Sequence, residues 1–377
     1  MAFSLSRNAK LYLSTVSSSW DGNGTNLTDA NTYEIPILDG FSFSQATGTQ
    51  TVTLNETGTT PRRGQRMFNT SAQPVEWSFS TYLRPFTDSA DSDAHSATEK
   101  LLWAALVSDG ASSYPNANGQ DGTHGIDCDS SNMTISMGTS NVNQLMKLYG
   151  YFHFNDSGLT YLISELCVDS VTIDFDIDGI ATANWTGYGT SLTEVNTAYP
   201  DTSGTDYVPA NTDADFILNR LSTLTMTGDI VGSSKAYTFP ITGGSFTFSN
   251  NISYTTPEEL GEVNQPVDHQ TGTRAISGSF TAYLDSGGTL DSEQLYADML
   301  TDLGDGSPNI TQSLDIDLKI GGATAPYVQL NIDQAHIEIP TTDVADVIGL
   351  TINFTGLETA LGQDNEMTIE YVGAANT

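Results

Sequence analysis

The chain is poor in positive charge and has no long apolar run. Of its 377 residues only 12 are Lys or Arg, against 46 that are Asp or Glu, which gives a net charge of −34. A chain this acidic repels nucleic-acid phosphates on average, so tight binding of nucleic acid is not expected. No apolar run approaches the roughly 20 residues that a membrane helix needs, so we expect no membrane partner.

Cysteine is equally scarce, and catalytic motifs are missing. Cys128 and Cys167 both lie in the first half of the chain, and we predict two free thiols rather than a disulfide framework or a cysteine-based metal site. The five histidines are scattered without the HExxH spacing of a zinc site, and no GxSxG, GxxxxGK or GxGxxG motif occurs. We therefore expect no enzyme, no catalytic residue, no cofactor and no metal site.

One segment matches part of a calcium-binding loop. Asp174, Asp176 and Asp178 with Gly179 have the spacing of its first half, but its twelfth position is Trp185 rather than a Glu. The alternative is a strand with its aspartates turned outward, ending in a turn at residues 178–179. We predict the strand and the turn.

An ordered set of landmarks occurs twice, about two hundred residues apart. The first set is Tyr33, Pro36, Ile37, Gly40, Phe41, Phe43 and Ser44, then 77–83 (WSFSTYL) and a helix pattern over 99–107. The second set is Tyr237, Pro240, Ile241, Gly244, Phe246, Phe248 and Ser249, then 278–284 (GSFTAYL) and a helix pattern over 293–303. A fixed order of matched landmarks indicates an internal duplication, and we predict two domains, 1–204 and 205–377.

Each copy has the pattern of an antiparallel β-protein with one helix. Period-two alternation predicts a long hairpin in the first copy, with arms at about 33–55 and 67–84. A capping-box pattern from Ser96 to Glu99 precedes a narrow apolar stripe in the first helix, and Asp291 begins the matching helix. The predicted fold is mainly β: two tandem antiparallel β-sandwiches or open barrels, each with a long hairpin and one short flanking α-helix.

In this order of strand, long hairpin, Ser-Phe-x-x-Tyr-Leu segment and helix, the chain resembles the tube proteins of bacteriophage tails. The segment 277–284 carries the resemblance most clearly, and the matched pattern spans residues 3–355. The resemblance implies a structural virion protein: the major subunit of a tail tube, forming stacked trimeric rings with pseudo-six-fold symmetry around a DNA-conducting channel. The resemblance also implies that the chain binds other copies of itself and the tail terminator, tape measure and distal tail proteins. It implies a location in the phage tail, which would be assembled in the host cytoplasm.

A polar face of the hairpins is the expected channel wall. Hairpins joined from neighbouring subunits into a closed barrel would hide their edges and turn this face toward a channel. The expected wall has hydroxyl groups, one acid and neither Lys nor Arg, so passing double-stranded DNA would find little to bind. Its residues are Ser42, Ser44, Glu76, Ser78, Ser80, Thr247, Ser249, Ser277, Ser279 and Thr281.

The two hairpin tips differ in charge. The first, 56–66, carries Arg62, Arg63 and Arg66, whereas the second, 257–272, carries Glu258, Glu259, Glu262 and Asp268. One interpretation is a pair of solvated loops. The other is that the tips meet opposite charge on an adjacent subunit or ring, where several partly buried ion pairs could fix the register.

Two other functions stay open at this point. A baseplate hub or distal tail protein of the same fold would form trimers without growing into a tube. A carbohydrate-binding β-sandwich would present exposed aromatic side chains, and Trp20, Tyr114 and Tyr199 lie in loop patterns.

Overall fold

A computed structural model of the chain describes residues 6–15, 27, 31–52, 66–88, 94–108, 125–137, 145–154, 158–195, 211–230, 234–260, 263–304, 313–344 and 346–374. The described strands of the first half are β1 (Ala9–Ser14), β2 (Thr32–Ile35), β3 (Ser42–Val52), β4 (Arg66–Tyr82), β5 (Pro85–Asp88), β6 (Ala94–Ala97), β7 (Ile126–Cys128), β8 (Met133–Ser136), β9 (Leu148–Phe154), β10 (Leu159–Asp176), β11 (Thr182–Gly189) and β12 (Ser191–Val195). Those of the second half are β13 (Thr223–Asp229), β14 (Ser234–Phe239), β15 (Ile241–Ser249), β16 (Ser253–Thr255), β17 (Asp268–Gln270), β18 (Ala275–Tyr283), β19 (Ser313–Ile320), β20 (Tyr327–Ile337), β21 (Thr341–Val344), β22 (Ile348–Gly356) and β23 (Thr368–Val372). The helices are α1 (Lys100–Val107) and α2 (Ser292–Gly304).

One antiparallel sheet, which we call the shared sheet, runs through both halves. Its strand order is β3, β4, β11, β10, β15, β18, β22 and β21. The first four strands come from the first half and the last four from the second. The joint between them is the pairing of residues 170–176 of β10 with residues 243–249 of β15.

A second layer covers the apolar face of the shared sheet. In the first half it has the order β2, β1, β9, β10 and β12. In the second half it has the order β14, β13, β19, β20, β23, β8 and β7, so a hairpin from the first half completes the second-half sheet. The layers enclose one continuous apolar core. The predicted mainly-β sandwich is confirmed, and among the described strands β3 and β21 each keep one edge without a strand partner, so no barrel closes.

The predicted hairpin is present, but its first arm begins at Ser42, because β2 pairs with β1 in the other layer. Residues 36–41 separate β2 from β3; this stretch contains Pro36, which lacks a backbone donor, and Gly40, whose φ of 97° suits glycine. β3 then pairs with β4 from Ser42 opposite Ser78 outward. Most of the predicted tip lies outside the described residues.

The helices lie where the sequence predicts them, but α1 differs in two details. Its N-cap, Glu99, makes no side-chain capping bond, and Ser96 belongs to β6, so the predicted capping box is wrong. Residues 101–107 are all buried, so the predicted narrow stripe is also wrong: Trp103 packs against Trp185 on one side and donates a 2.8 Å hydrogen bond to Tyr371 on another. The predicted start of α2 is confirmed.

The two halves follow the same pairing plan, which corrects one of the sequence matches. Phe43 lies opposite Trp77, and Phe246 lies opposite Gly278. Because 77–83 matches 278–284, Phe43 corresponds to Phe246, and its match with Phe248 is wrong by two residues. An even shift leaves every side chain on its own face of the sheet. The shared plan is what a duplication would produce, while the boundary at residue 204 stays a prediction.

Candidate assembly surfaces

The structure brings all ten expected wall residues to one face of the shared sheet. Residues directly opposite each other in neighbouring strands point to the same side. One row crosses six strands through Ser80, Asn184, Thr172, Thr247, Ser277 and Thr355. A second row runs through Ser78, Thr186, Ser170 and Ser249. The remaining expected wall residues alternate with these positions along β3, β4 and β18.

Hydroxyl and amide groups on this polar face bond to one another across strands. The Oγ atoms of Ser42 and Ser78 are hydrogen-bonded at 2.8 Å, and the Oγ1 atoms of Thr172 and Thr247 are hydrogen-bonded at 3.1 Å. Ser80 donates to Asn184 Oδ1 at 2.6 Å. Part of the hydrogen-bonding capacity of this face is therefore already used within the sheet.

The polar face is acidic as well as hydroxylated. Glu76 lies in a shallow depression of about 310 Å³ with Ser44 and Tyr188, and Asp174 accepts a 2.8 Å hydrogen bond from Asn184 Nδ2. The seven strands from β3 to β22 in this sheet contain one basic residue, Arg66, at the far end of β4. The sequence reasoning missed the contribution of β10, β11 and β22, although the same period-two alternation runs through them.

The aspartates of the partial calcium loop form the predicted strand and turn. β10 continues to Asp176, and a turn follows at residues 177–178. Asp174 faces the row described above, whereas Asp178 Oδ1 accepts a 2.7 Å bond from Arg220. Among the described residues these three carboxylates do not gather closely enough to form a metal-binding group.

The second tip lies against the arm of the first hairpin. Asn264 of the second tip accepts a 2.8 Å bond from Ala72 N and donates a 3.2 Å bond to Thr70 O, so it lies against the arm of β4. Arg66, Glu258 and Glu259 are exposed. Arg62, Arg63 and Glu262 lie outside the described residues.

Asp268 is not a free tip charge, because it belongs to a polar cluster between the halves. Its carboxylate lies 2.9 Å from Lys147 Nζ, which also bonds Glu165 at 3.2 Å. Desolvation works against the charged carboxylate, yet the hydrogen bond and charge of Lys147 lower the pKa of Asp268 overall. We call this cluster the latch; its members are Leu145, Lys147, Glu165, Cys167, Tyr254, Asp268 and His269.

A buried histidine is the centre of the latch. His269 Nε2 accepts a 2.8 Å bond from Leu145 N, and its Nδ1 lies 3.3 Å from Cys167 Sγ. Burial lowers the pKa of His269 and raises the pKa of Cys167 to about 12. A neutral thiol beside a neutral imidazole is the opposite of an activated cysteine nucleophile. As predicted, Cys128 and Cys167 form no disulfide, and both are buried.

A second acidic cluster surrounds Arg274. Its guanidinium bonds Asp364 at 2.6 Å and Glu366 at 3.1 Å, and Glu358 completes a group whose ligand atoms lie within 4.8 Å of one another. The arginine already supplies the positive charge that such a group attracts, so the cluster is a salt bridge that ties two loops together.

Two further expectations concern membranes and sugars. No helix in the described ranges is long and apolar enough to cross a membrane. The three aromatic side chains considered for sugar binding, Trp20, Tyr114 and Tyr199, lie outside the described residues.

Two halves with the same pairing plan, a shared sheet with a polar face and an extended hairpin are features of a structural β-protein. The family model for phage tail tube protein matches residues 60–356, and the chain belongs to that family. It is 32% identical over 372 residues to the tail tube protein pb6 of Escherichia phage T5, covering 97% of this chain and 75% of that relative. The resemblance to phage tail tube proteins is thus confirmed, and the chain is a structural component of the virion tail.

Proposed function

We propose that three chains close into a ring with pseudo-six-fold symmetry and that stacked rings form the tail tube around a channel for double-stranded DNA. The observation that carries this proposal is the shared sheet. Each half supplies four of its strands, and the joint between β10 and β15 already connects the two halves of the chain side by side. Repeating that joint between chains would give six domains per ring from three chains.

A barrel closed in this way is wide enough to conduct. Eight strands from each chain give twenty-four in a trimer, and barrels of about 16 to 18 strands already enclose a water-filled channel. The polar face would then line the lumen, because the opposite face is buried against the outer layer. Hydroxyls and carboxylates without cations would let the DNA phosphates pass without being held.

Stacking of rings is supported by the apolar side chains exposed at the two ends of the shared sheet. At the hairpin end Met67 and Phe68 are 58% and 60% exposed. From Val75 to Arg66 the arm of β4 extends about 30 Å at roughly 3.3 Å per residue, beyond the last pairing with β11. The opposite end exposes Ile177, Ile180, Phe216, Leu218, Leu221, Val347 and Ile348. Because the two ends are different surfaces, a contact between them would be head to tail, and repeating it would build an open filament.

The charged tips fit the same arrangement. The arm would carry Arg62, Arg63 and Arg66 to the next ring, where they would meet Glu258, Glu259 and Glu262 of another chain, while Asp268 is held by Lys147 within its own chain. The tail terminator and distal tail proteins would cap the two open ends of the tube, and the tape measure protein would occupy the lumen before DNA does.

Electron microscopy and native mass spectrometry of the purified protein test this function together. We expect rings of three 40.3 kDa chains with six similar lobes, and filaments built of such rings at high protein concentration. Six chains per ring would contradict the trimer. Trimers that never stack would instead indicate a hub or distal tail protein.

A further inference from the structure

The joint inside the chain is a template for the joint between chains. In the pairing of β10 with β15, Thr172 lies directly opposite Thr247, and their Oγ1 atoms are 3.1 Å apart. Two residues further along β10, Asp174 lies opposite Ser245. If the two halves are equivalent positions of a ring, the residues that correspond to these pairs must meet where one chain ends and the next begins.

The strand pairings identify the residue on β21 that corresponds to Thr172. Ser80 and Thr281 occupy matching positions in the segments 77–83 and 278–284. In the first half, Ser80 lies opposite Asn184 on β11, which lies opposite Thr172 on β10. In the second half, Thr281 lies opposite Thr351 on β22, which lies opposite Thr341 on β21.

The outer sheets give the same correspondence independently of the shared sheet. β10 has an extra residue relative to β9 next to the pair Leu148–Leu166, and β20 has an extra residue relative to β19 next to the pair Leu314–Ala335. These two irregularities make Leu166 correspond to Ala335. The difference in residue number between Leu166 and Ala335 equals the difference between Thr172 and Thr341. Two routes through different strands therefore agree on one register.

The residue on β3 follows from the same pairings. Because Phe43 corresponds to Phe246, its neighbour Ser44 corresponds to Thr247, and Ser42 corresponds to Ser245. Within the described residues β3 pairs with β4 alone and β21 pairs with β22 alone, so each strand keeps one edge unpaired. The two unpaired edges lie at the opposite ends of the shared sheet's strand order.

We propose that β21 of one chain pairs antiparallel with β3 of the next chain, with Thr341 opposite Ser44 and Asp343 opposite Ser42. This inference rests on the proposed function, since it specifies the contact that closes the ring. It assigns the partner of each unpaired edge to a second copy of this chain and fixes the register of the pairing.

Both faces of the proposed joint are chemically matched. On the polar face Thr341 and Ser44 repeat the hydroxyl pair of Thr172 and Thr247. On the other face Val344, which is 78% exposed in the single chain, comes opposite Phe41, a half-buried ring at the margin of the core. Asp343 on the open edge discourages pairing with an unrelated strand until the matching edge arrives.

Disulfide trapping tests the register. Cβ atoms of directly opposed residues lie about 4.5–5.5 Å apart, close to what a disulfide spans, whereas a slip by two residues moves them to about 7–8 Å. In the double variant Thr341→Cys with Ser44→Cys we expect a covalent trimer under mild oxidation, seen on a denaturing gel and lost on reduction. Cys128 and Cys167 are buried and would not interfere.

Matched variants decide the outcome. Thr172→Cys with Thr247→Cys is the positive control and should form a disulfide within one chain. Thr341→Cys with Ser42→Cys is slipped by two residues and should crosslink at least tenfold less. Stronger crosslinking of the slipped pair, or trimers by native mass spectrometry without crosslinking, would overturn the proposed register. A protein that forms no trimer at all would refute the proposed function instead.

Discussion

Acidification below pH 6.5 is expected to open the latch, because its central imidazole must stay neutral. The unfolded chain takes up a proton at the ordinary histidine pKa of 6.5, whereas burial lowers the pKa of His269 in the folded chain. The unfolded state therefore binds more protons below pH 6.5, and the stability of the latch falls as the pH drops toward the folded pKa. Above pH 6.5 His269 is neutral in both states, and the latch has its full stability.

The structural cause is the hydrogen bond from Leu145 N to His269 Nε2. Protonation of this nitrogen turns an acceptor into a donor, so the amide loses its partner in a buried place. Between the folded pKa of His269 and pH 6.5, each pH unit of acidification lowers the free energy of opening the latch by about 1.4 kcal/mol. This corresponds to a factor of about ten in the opening equilibrium. Lys147, whose pKa is raised, stays charged throughout, and Asp268, whose pKa is lowered, titrates only below its ordinary value of 3.8.

Hydrogen exchange at the Leu145 amide measures this opening directly. Its protection factor should fall about tenfold per pH unit below 6.5, while the amide of Phe280 in the shared sheet, measured in the same sample, should keep its protection. His269→Gln retains an acceptor that does not titrate, so this variant should lose the pH dependence. Equal protection at pH 7.5 and pH 5, or an unchanged slope in the glutamine variant, would refute the reasoning.

Three further predictions concern the wall, the arm and the core. Glu76→Arg should make assembled tubes retain duplex DNA at low salt and release it as salt rises, measured by filter binding, whereas Glu76→Gln should retain none. Replacing Met67 and Phe68 with Ser should leave trimers intact by native mass spectrometry but shorten the tubes in micrographs, and tubes of normal length would exclude these side chains from stacking. Trp103→Ala should lower the free energy of unfolding by about 3–5 kcal/mol in urea titrations, since it leaves a cavity and removes the donor to Tyr371; a loss below 1 kcal/mol would contradict this.

The polar face could be predicted because period-two alternation is a local property of a strand. Ser42, Ser78 and Ser277 each alternate with a large apolar neighbour, and a two-residue error in matching the halves did not move any of them to the other face. The start of α2 was equally local, because Asp291 accepts a 3.1 Å bond from Gln294 N three residues away.

Contacts between distant segments could not be predicted in this way. Cys167 and His269 are 102 residues apart, and no periodicity in either segment indicates that they meet. The capping box failed for a related reason: Ser96 of β6 pairs with Phe86 of β5, and Glu99 accepts a bond from Arg84 N, so tertiary pairing overrode a local motif. The burial of residues 101–107 of α1 depends on Trp185 and Tyr371, which belong to strands far along the sequence.

A duplicated chain would change what assembly requires. In a ring of single-copy subunits every joint is a separate association event, whereas in the proposed ring half of the joints would form during folding as the pairing of β10 with β15. The linked half is held at a high effective concentration, so this joint forms without the entropy cost of bringing two molecules together. The remaining joints of the proposed ring would have to overcome repulsion between chains that each carry a net charge of −34. An edge bearing Asp343 and a chain this acidic do not associate with arbitrary strands, and an extended, register-matched pairing is the kind of contact that can outweigh the repulsion.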